Sequence, residues 1–158
     1  MKPTFIISCP IDTYSGYGAR SRDVVKAIIE MDKYDVKILP QRWGATPWGF
    51  IEDHKEWKFL NKHLWYPQPN QQYPKPDIWM QITIPNEFIP QGHYNIGMTA
   101  GIETTLCKPE WIEGANRMNI VLGSSEHSIQ VLKNSKFQQK DQNTNQIVKN
   151  IGLNTKTD

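Results

Sequence analysis

The order of apolar and polar residues at the start of the chain is typical of a strand, a helix and a second strand. Residues 4–8 form a short apolar run, and residues 34–39 alternate towards a second strand that Pro40 closes. Between them, apolar side chains recur at spacings of three and four and make one helical stripe, formed by Val24, Val25, Ile28 and Ile29. This βαβ pattern predicts two parallel strands joined by a right-handed crossover.

Strand and helix signals continue to alternate in the second half of the chain. Strands are predicted over residues 77–82, 94–99 and 119–123. One helix is expected to begin at Pro109 and end near Arg117, and Ser124 or Ser125 is expected to cap the next. This alternation indicates an α/β fold with an open, mostly parallel sheet, in which ligands bind beyond the carboxyl ends of the strands. Three loops follow such ends, at residues 9–18, 100–106 and 123–126.

Other segments are less regular. Residues 46–64 predict a helix, which the Thr46-Pro47 pair would start as N-cap and first helical residue. The proline-rich residues 66–76 predict an exposed loop. Residues 136–146 are mostly Gln, Asn and Lys with little to bury, so we expect them to be mobile or loosely packed, ahead of a last strand signal at 147–151.

Length, composition and charge bound the class of protein. The 158 residues suit one domain, and with 38% apolar residues the core can depend on some of the six Trp and six Tyr. A net charge of +2, with acids and bases mixed, does not favour nucleic acid or an anionic membrane as the main partner. We expect no signal peptide, because Pro3 and the early polar loop interrupt the apolar start, and no transmembrane segment, because no apolar window is long enough.

The two cysteines, Cys9 and Cys107, have neither metal-ligand spacing nor a disulfide pattern. Cys9 ends the first predicted strand, where we expect a buried thiol. A reducing, cytoplasmic location fits this cysteine usage.

The residues between the first strand and the first helix are the first candidates for ligand contact. Gly16, Tyr17 and Gly18 stand where backbone N–H groups and the positive end of a helix favour an anion such as phosphate, and Arg20 adds a cation. A full dinucleotide-binding pattern needs a third glycine where Ser21 stands, and an acidic residue after the second strand. These departures disfavour a nucleotide-dependent oxidoreductase. Ligand contact and a tight turn that only reverses the chain both remain open.

Two other loops carry polar side chains at predicted strand ends. The first contains Gly101, Glu103 and Thr104, and the second contains Ser124, Ser125 and Glu126. A lone loop carboxylate such as Glu103 can act as a base or bind sugar hydroxyls, although such a residue is more often a solvated acid. The serine hydroxyls are at least helix caps. No histidine spacing indicates a metal site, and no serine lies in a nucleophile elbow.

Four short motifs stand in order along the chain: Ser15-Gly16-Tyr17-Gly18 before a helix, residues 95–105 ending in Glu103-Thr104-Thr105, Pro109-Glu110-Trp111, and residues 121–126 ending in Ser125-Glu126. Over residues 4–134 this order resembles the N-terminal half of a GT-B glycosyltransferase of the family-4 (group 1) type. In that family a strand leads into an "ETT" loop, a "PEW" helix start follows, and a further strand ends in "SE". The resemblance implies a Rossmann-like three-layer domain at 1–134, followed by a polar tail at 135–158 that begins an interdomain connection or forms a last strand.

The resemblance also implies an activity, the transfer of a sugar from a nucleotide-sugar to the hydroxyl of a carbohydrate or another acceptor. It implies no metal or other cofactor, because helix ends and basic side chains neutralise the diphosphate in GT-B enzymes. The N-terminal half chiefly receives the acceptor. By position, Glu103 would be the catalytic or sugar-contacting group. The substrate and donor-phosphate contacts would be Gly16, Tyr17, Gly18, Arg20, Gly101 and Thr104, with Ser124, Ser125 and Glu126 on the far wall of the cleft.

The sequence also departs from this family. The second Rossmann-like domain, with its basic pair and glutamate motif, is missing, and residues 100–106 contain no histidine. We therefore expect the isolated chain to be inactive or to need a second domain or a partner chain. The alternative is a non-catalytic binding or interaction module that keeps the half-fold and docks through the aromatic residues of 43–66.

Overall fold

The computed structural model describes residues 1–158 and has the predicted α/β architecture. The strands are β1 (Thr4–Cys9), β2 (Asp35–Pro40), β3 (Ile78–Ile82), β4 (Tyr94–Thr99), β5 (Ile120–Gly123), β6 (Phe137–Lys140), β7 (Ile147–Ile151) and β8 (Lys156–Thr157). Six of them form one sheet in the order β2-β1-β3-β4-β5-β8, and the pairs β1–β2, β1–β3, β4–β5 and β5–β8 are parallel. The Rossmann-like, mostly parallel fold class is thus confirmed.

Four α-helices accompany the strands: α1 (Gly16–Glu30), α2 (Phe50–Asp53), α3 (Pro109–Asn116) and α4 (Glu126–Asn134). Two 3₁₀ helices cover Lys55–His63 and Pro85–Glu87. None of these helices combines the length and the apolar character needed to cross a bilayer. The chain divides into two compact units. Unit 1 comprises Met1–Ile82 with Gln91–Asn95, and unit 2 comprises Thr83–Pro90 with Ile96–Asp158.

Unit 1 is built on β1, which pairs with β2 on one side and β3 on the other. Its register with β2 runs from Thr4↔Asp35 to Cys9↔Pro40, which confirms the parallel strands of the predicted βαβ pattern. Five consecutive β1 residues are buried, as expected for a parallel strand covered on both faces: Phe5, Ile6, Ile7, Ser8 and Cys9. On α1, Val25 is fully buried, whereas its neighbours Val24 and Ile28 are half-buried.

The helix predicted over residues 46–64 is wrong at its start. Gly49, with φ at 104°, precedes the short α2, and Thr46 is not a cap. The Thr46 hydroxyl instead donates to the Trp43 carbonyl in a turn. The amides of Gly49 and Phe50 both donate to the Asp12 carbonyl at 3.1 Å. Because these hydrogen bonds attach the segment to the β1–α1 connection, the helix begins only at Phe50. The proline-rich segment after it is an exposed loop, as predicted.

Unit 2 packs α3 closely on the 3₁₀ helix at Pro85–Glu87. Arg117, just beyond α3, donates from Nε to the Phe88 carbonyl at 2.7 Å and from Nη2 to the Asn86 carbonyl at 3.0 Å. A Cβ at Gly114 would lie 1.8 Å from the Pro85 carbonyl oxygen. This contact requires glycine, because the backbone of the neighbouring segment fills the space of a side chain.

The polar segment after α4 contains more regular structure than its composition predicts. β6 and β7 pair as an antiparallel hairpin, so β7 confirms the strand signal at 147–151 but does not join the parallel sheet. Most of the hairpin is exposed. The short β8, which sequence patterns did not predict, extends the main sheet beside β5, and the Asp158 amide donates to the Val121 carbonyl at 3.1 Å.

Replacing Gly114 by alanine is expected to destabilise the protein. The new Cβ would collide with the Pro85 carbonyl, and relief of such overpacking typically costs about 1–3 kcal/mol. Gly152→Ala is the matched control, because a Cβ there meets no atom within 4 Å. Urea unfolding monitored by circular dichroism measures both variants. Equal midpoints for the two would contradict the close packing of α3 on the Pro85 turn.

Candidate functional site

The first turn of α1 is held in place by a network of hydroxyl groups. Ser15 is the N-cap, and its Oγ accepts a hydrogen bond from the Gly18 amide at 2.9 Å. The Thr13 hydroxyl donates to the Pro10 carbonyl at 2.9 Å, so Ser15 Oγ must donate to Thr13 Oγ1, 2.8 Å away. The helix thus begins at Gly16 itself, and the predicted glycine loop is its first turn.

The two glycines of this turn have different surroundings. A Cβ at Gly18 would lie 2.4 Å from the carbonyl oxygen of Thr13 and 2.7 Å from its Oγ1. A Cβ at Gly16 would meet nothing within 4 Å. Gly18 therefore allows α1 to approach the preceding loop, whereas the space around Gly16 is open to a ligand. Tyr17, between them, stacks on Trp43 at a centroid distance of 4.1 Å.

A buried arginine, which sequence patterns did not single out, braces the same connection. Arg22 is only 4% exposed, and its Nη1 donates to the carbonyls of Ile11 and Thr13, both at 2.9 Å. Its guanidinium lies 3.4 Å from the centroid of the Phe50 ring. Burial lowers the pKa of Arg22, although the nearby carboxylate of Asp12 opposes this. By contrast, the predicted anion ligand Arg20 is exposed.

Cys9, at the carboxyl end of β1, is fully buried as predicted. Burial raises the pKa of its thiol to about 12, although a hydrogen bond with Ser21 and the charge of Arg22 act in the opposite direction. Since the thiolate is the reactive form of cysteine, Cys9 is a packing residue at neutral pH and not a nucleophile.

The segment between β2 and α2 lies against the β1–α1 connection. The Tyr14 amide donates to the Pro47 carbonyl at 3.1 Å, and Thr13 and Trp48 form an antiparallel bridge. The Asp12 side chain contributes as well, because its Oδ1 accepts from the Ile51 amide at 2.7 Å. These bonds fix the backbone around two exposed aromatic side chains, Tyr14 and Trp48.

In unit 2, the loop after β4 is anchored at both ends. Gly101 has φ at 82° and packs so closely on α4 that a Cβ would lie 2.4 Å from Ser128 Oγ. Ser124 and Ser128 both donate their hydroxyl hydrogens to the Ala100 carbonyl, at 2.7 and 2.9 Å. At the other end, the Cys107 amide donates to a buried Ser135 hydroxyl at 3.0 Å. Between these anchors, Glu103 and its neighbours Thr104, Thr105 and Leu106 are exposed.

The two serines after β5 make hydrogen bonds within the protein. Ser125 is the N-cap of α4, and its Oγ accepts from the Ser128 amide at 3.2 Å. Because Ser128 donates to Ala100, the 3.0 Å contact between the two hydroxyls makes Ser125 the donor to Ser128. The hydroxyl hydrogens of Ser124 and Ser125 are thus both used internally, although their oxygens can still accept hydrogen bonds.

A shallow cavity of about 410 Å³ lies beside this turn within unit 2. The predicted residues Ser124, Ser125 and Glu126 line it. Gln130 and Lys133, which the sequence analysis did not select, line it as well. Their spacing from Glu126, four and seven residues along α4, is the helical periodicity that places all three on one face. Asp158 lines the cavity too, which therefore combines two carboxyl side chains, an amide and an ammonium group.

The predicted site residues fall into two sets, one in each unit. In unit 1, Gly16, Tyr17 and Gly18 share the first turn of α1, and Arg20 follows in the next turn. In unit 2, contacts through Ala100 and Ser128 bring Gly101 together with Ser124 and Ser125. Glu103 and Thr104 lie in the exposed part of the anchored loop, where Thr104 Oγ1 donates to the Leu106 carbonyl at 2.8 Å. No group of three or more His, Cys, Asp or Glu side chains is placed to hold a metal ion.

Comparisons of this chain with protein-family models, with curated proteins and with solved structures give no match. Its function therefore has to be inferred from its residues and their geometry.

Alanine substitutions at Gly18 and Gly16 compare a closely packed position with an open one in the same helical turn. Gly18→Ala is expected to lower the free energy of unfolding by about 1–3 kcal/mol, because the Cβ would press on the Thr13 carbonyl. Gly16→Ala, its matched control in the same turn, should change stability by no more than about 0.5 kcal/mol. Urea titrations of both variants measure the difference. A Gly18→Ala protein as stable as the control would show that this turn tolerates a side chain.

Arg22→Met is expected to destabilise unit 1. The Ile11 and Thr13 carbonyls would lose a charged donor, and each buried acceptor left unsatisfied costs about 1–3 kcal/mol. Arg20→Met removes an exposed guanidinium from the same helix and should shift stability by at most about 0.5 kcal/mol. The measurement is again the urea midpoint. Unchanged or increased stability of Arg22→Met would mean that the desolvation cost of the buried charge exceeds its hydrogen-bond energy.

Proposed function

We propose that this chain is the acceptor-side domain of a GT-B glycosyltransferase. In this proposal it takes part in transferring a sugar from a nucleotide-sugar to an acceptor hydroxyl, while a second domain or partner chain chiefly holds the nucleotide. The supporting observation is where the four motifs fall in the fold. Ser15 caps α1 after β1, residues 103–105 lie between β4 and α3, Pro109 opens α3, and Ser125 caps α4 after β5. Each motif thus lies at the kind of element predicted for it from the sequence, and this order supports the proposal.

The first turn of α1 suits close approach of an anionic donor. The positive end of a 15-residue helix lies at Gly16, where no atom would meet a Cβ within 4 Å. Arg22 adds a buried cation whose hydrogen-bond acceptors are neutral carbonyls, and the charges of Asp12 and Asp23 offset part of it. Arg22 is too buried to touch a ligand, and its contribution is therefore electrostatic. The exposed Arg20 is the side chain that can contact the anion directly.

Glu103 is proposed as the group that contacts the acceptor. Its loop is exposed, but Gly101 and Cys107 fix the loop ends through Ser128 and Ser135. A carboxylate on an anchored loop can accept a hydrogen bond from a sugar hydroxyl or take its proton as a general base. Glu126, beside the shallow cavity on α4, is the second carboxylate for hydroxyl binding.

The alternative function is a non-catalytic binding module on the same fold. It is favoured by the hydrogen bonding of Ser124 and Ser125, whose hydroxyl hydrogens serve the fold and are unavailable to a substrate. The two functions differ in whether a nucleotide-sugar is consumed.

The test is sugar transfer by the full-length gene product, incubated in EDTA with UDP-, GDP-, ADP- and dTDP-sugars and a panel of saccharide acceptors. We expect release of a nucleoside diphosphate from at least one donor, and little or none from the 158-residue chain alone. Glu103→Gln should lower kcat by roughly 100-fold or more if the carboxylate is a general base. The matched control Glu110→Gln changes an exposed acid at the start of α3 and should keep the rate.

Two outcomes would contradict the proposal. Failure of the full-length product to consume any donor would favour the binding module. Full activity of Glu103→Gln would remove Glu103 from the catalytic role.

A further inference from the structure

We propose that the cavity beside the first turns of α4 binds an amino sugar, with the ammonium group of the ligand at its carboxylate-rich end. It is called the α4 cavity below, and its polar lining consists of Ser124, Ser125, Glu126, Gln130, Lys133 and Asp158. The inference rests on the proposed function in one respect, which is that the amino sugar would be the acceptor. The site itself follows from the cavity and from the unpaired side chains that line it.

Four of these side chains are available to a ligand because the protein gives them no partner. Glu126, Gln130, Lys133 and Asp158 are exposed, and none of the four side chains makes a hydrogen bond or an ion pair within the protein. Glu126 and Lys133 line the same cavity without pairing, since they stand seven residues apart on α4, a rise of about 10 Å. A ligand between them therefore meets the carboxylate and the ammonium group separately.

The end of the cavity at the start of α4 is rich in hydrogen-bond acceptors. Glu126 is the first residue of the helix, and the oxygens of Ser124 and Ser125 beside it can only accept, because their hydrogens are donated internally. Asp158 joins them, since its carbonyl accepts from the Gly123 amide at 2.8 Å. The helix N-terminus carries only about half a positive charge, so the two carboxylates leave this end negative.

The other end of the cavity offers hydrogen-bond donors and an apolar surface. Gln130 and Lys133 lie about one and two turns further along the same face of α4. Ile129 also lines the cavity, and its Cδ1 would lie 2.8 Å from a Cβ at Gly123, so the glycine leaves room for this side chain. An amino sugar matches both ends, because its ammonium group pairs with carboxylates while its hydroxyl oxygens accept from the amide and the lysine.

Other small ligands fit the α4 cavity less well. Its volume of about 410 Å³ is within the range of small-molecule sites. A nucleotide or a sugar phosphate would bring its phosphate towards the carboxylates of Glu126 and Asp158. A neutral sugar would leave both carboxylates without a counter-charge, and an amine without hydroxyls would leave Gln130 and Lys133 without acceptors.

The experiment is an NMR titration of the isotope-labelled 158-residue chain with glucosamine and galactosamine, in mildly acidic buffer that keeps their amines protonated. Glucose, which lacks the ammonium group, and cyclohexylamine, which lacks the hydroxyls, are titrated for comparison. We expect at least one amino sugar to shift the amide signals of residues 124–133 and 157–158. That sugar should bind about fivefold more tightly than glucose or cyclohexylamine.

Charge-removing variants test whether the carboxylates hold the ligand. Glu126→Gln should weaken amino-sugar binding about fivefold, the upper end for one exposed ion pair. Combining it with Asp158→Asn should abolish the preference for the amino sugar over glucose. Glu110→Gln is the matched control and should bind normally, because Glu110 is an exposed acid in the first turn of α3, as Glu126 is in α4. The dispersion of the amide spectrum verifies that each variant is folded.

Three results would overturn the inference. They are no shift of these amide signals with either amino sugar, binding of glucose or cyclohexylamine that is as tight, and binding that Glu126→Gln leaves unchanged. The outcome is separable from that of the glycosyltransferase proposal. Amino-sugar binding that depends on Glu126, with no transfer by the full-length product, would support the site and reject the enzyme. Transfer to a sugar acceptor without amino-sugar binding in the α4 cavity would do the reverse.

Discussion

The geometry of unit 1 depends on one buried cation, the guanidinium of Arg22. It donates to two carbonyls of the β1–α1 connection and stacks on Phe50 of α2, so it joins the start of α1 to a segment that is distant in sequence. Burying a charge is expensive unless its hydrogen-bonding groups are satisfied. Here neutral carbonyls and an aromatic face replace water, and Asp12 stabilises the charge from a distance. The consequence is a buried positive group on α1 that lies against the carbonyls of the β1–α1 connection.

The sequence predicted most of the regular structure, because strands and helices in this chain have clear periodicity. The strand predicted over residues 34–39 is observed as β2 (Asp35–Pro40), and the apolar spacing from Val24 to Ile29 lies on α1. Predictions failed where distant contacts decide the conformation. The Thr46-Pro47 pair has the composition of a helix start, but hydrogen bonds from the following residues to Asp12 determine that the helix begins later. The short β8 depends on its pairing with β5, which no local pattern reveals.

The positions of the candidate residues in the fold could be predicted from the sequence. Which of their groups make internal contacts could not. Glycines at the end of a first strand indicate close approach, and both proved to lie in the first turn of α1. Sequence spacing could not show that Thr13 occupies the space where a side chain at Gly18 would lie. Nor could it show that the corresponding space at Gly16 is open. It also could not show that Ser124 and Ser125 direct their hydroxyl hydrogens inward. Arg22 was missed because nothing in its neighbours distinguishes a buried arginine from an exposed one such as Arg20.

In both units, hydrogen bonds and close glycine contacts anchor loops that carry exposed side chains. In unit 1, a serine cap, a glycine contact and buried Arg22 fix the connection that carries Tyr14. In unit 2, the Ser125 cap and the contact of Gly101 with Ser128 fix the loop that carries Glu103. The hydroxyls of Ser15 and Ser125 are used in these internal hydrogen bonds. The side chains that these anchored connections leave exposed include Tyr14 and Glu103. At the start of α1 the exposed cation is Arg20, whereas Arg22 is buried, so in the proposed transfer a second domain would supply the further charge that a donor diphosphate requires.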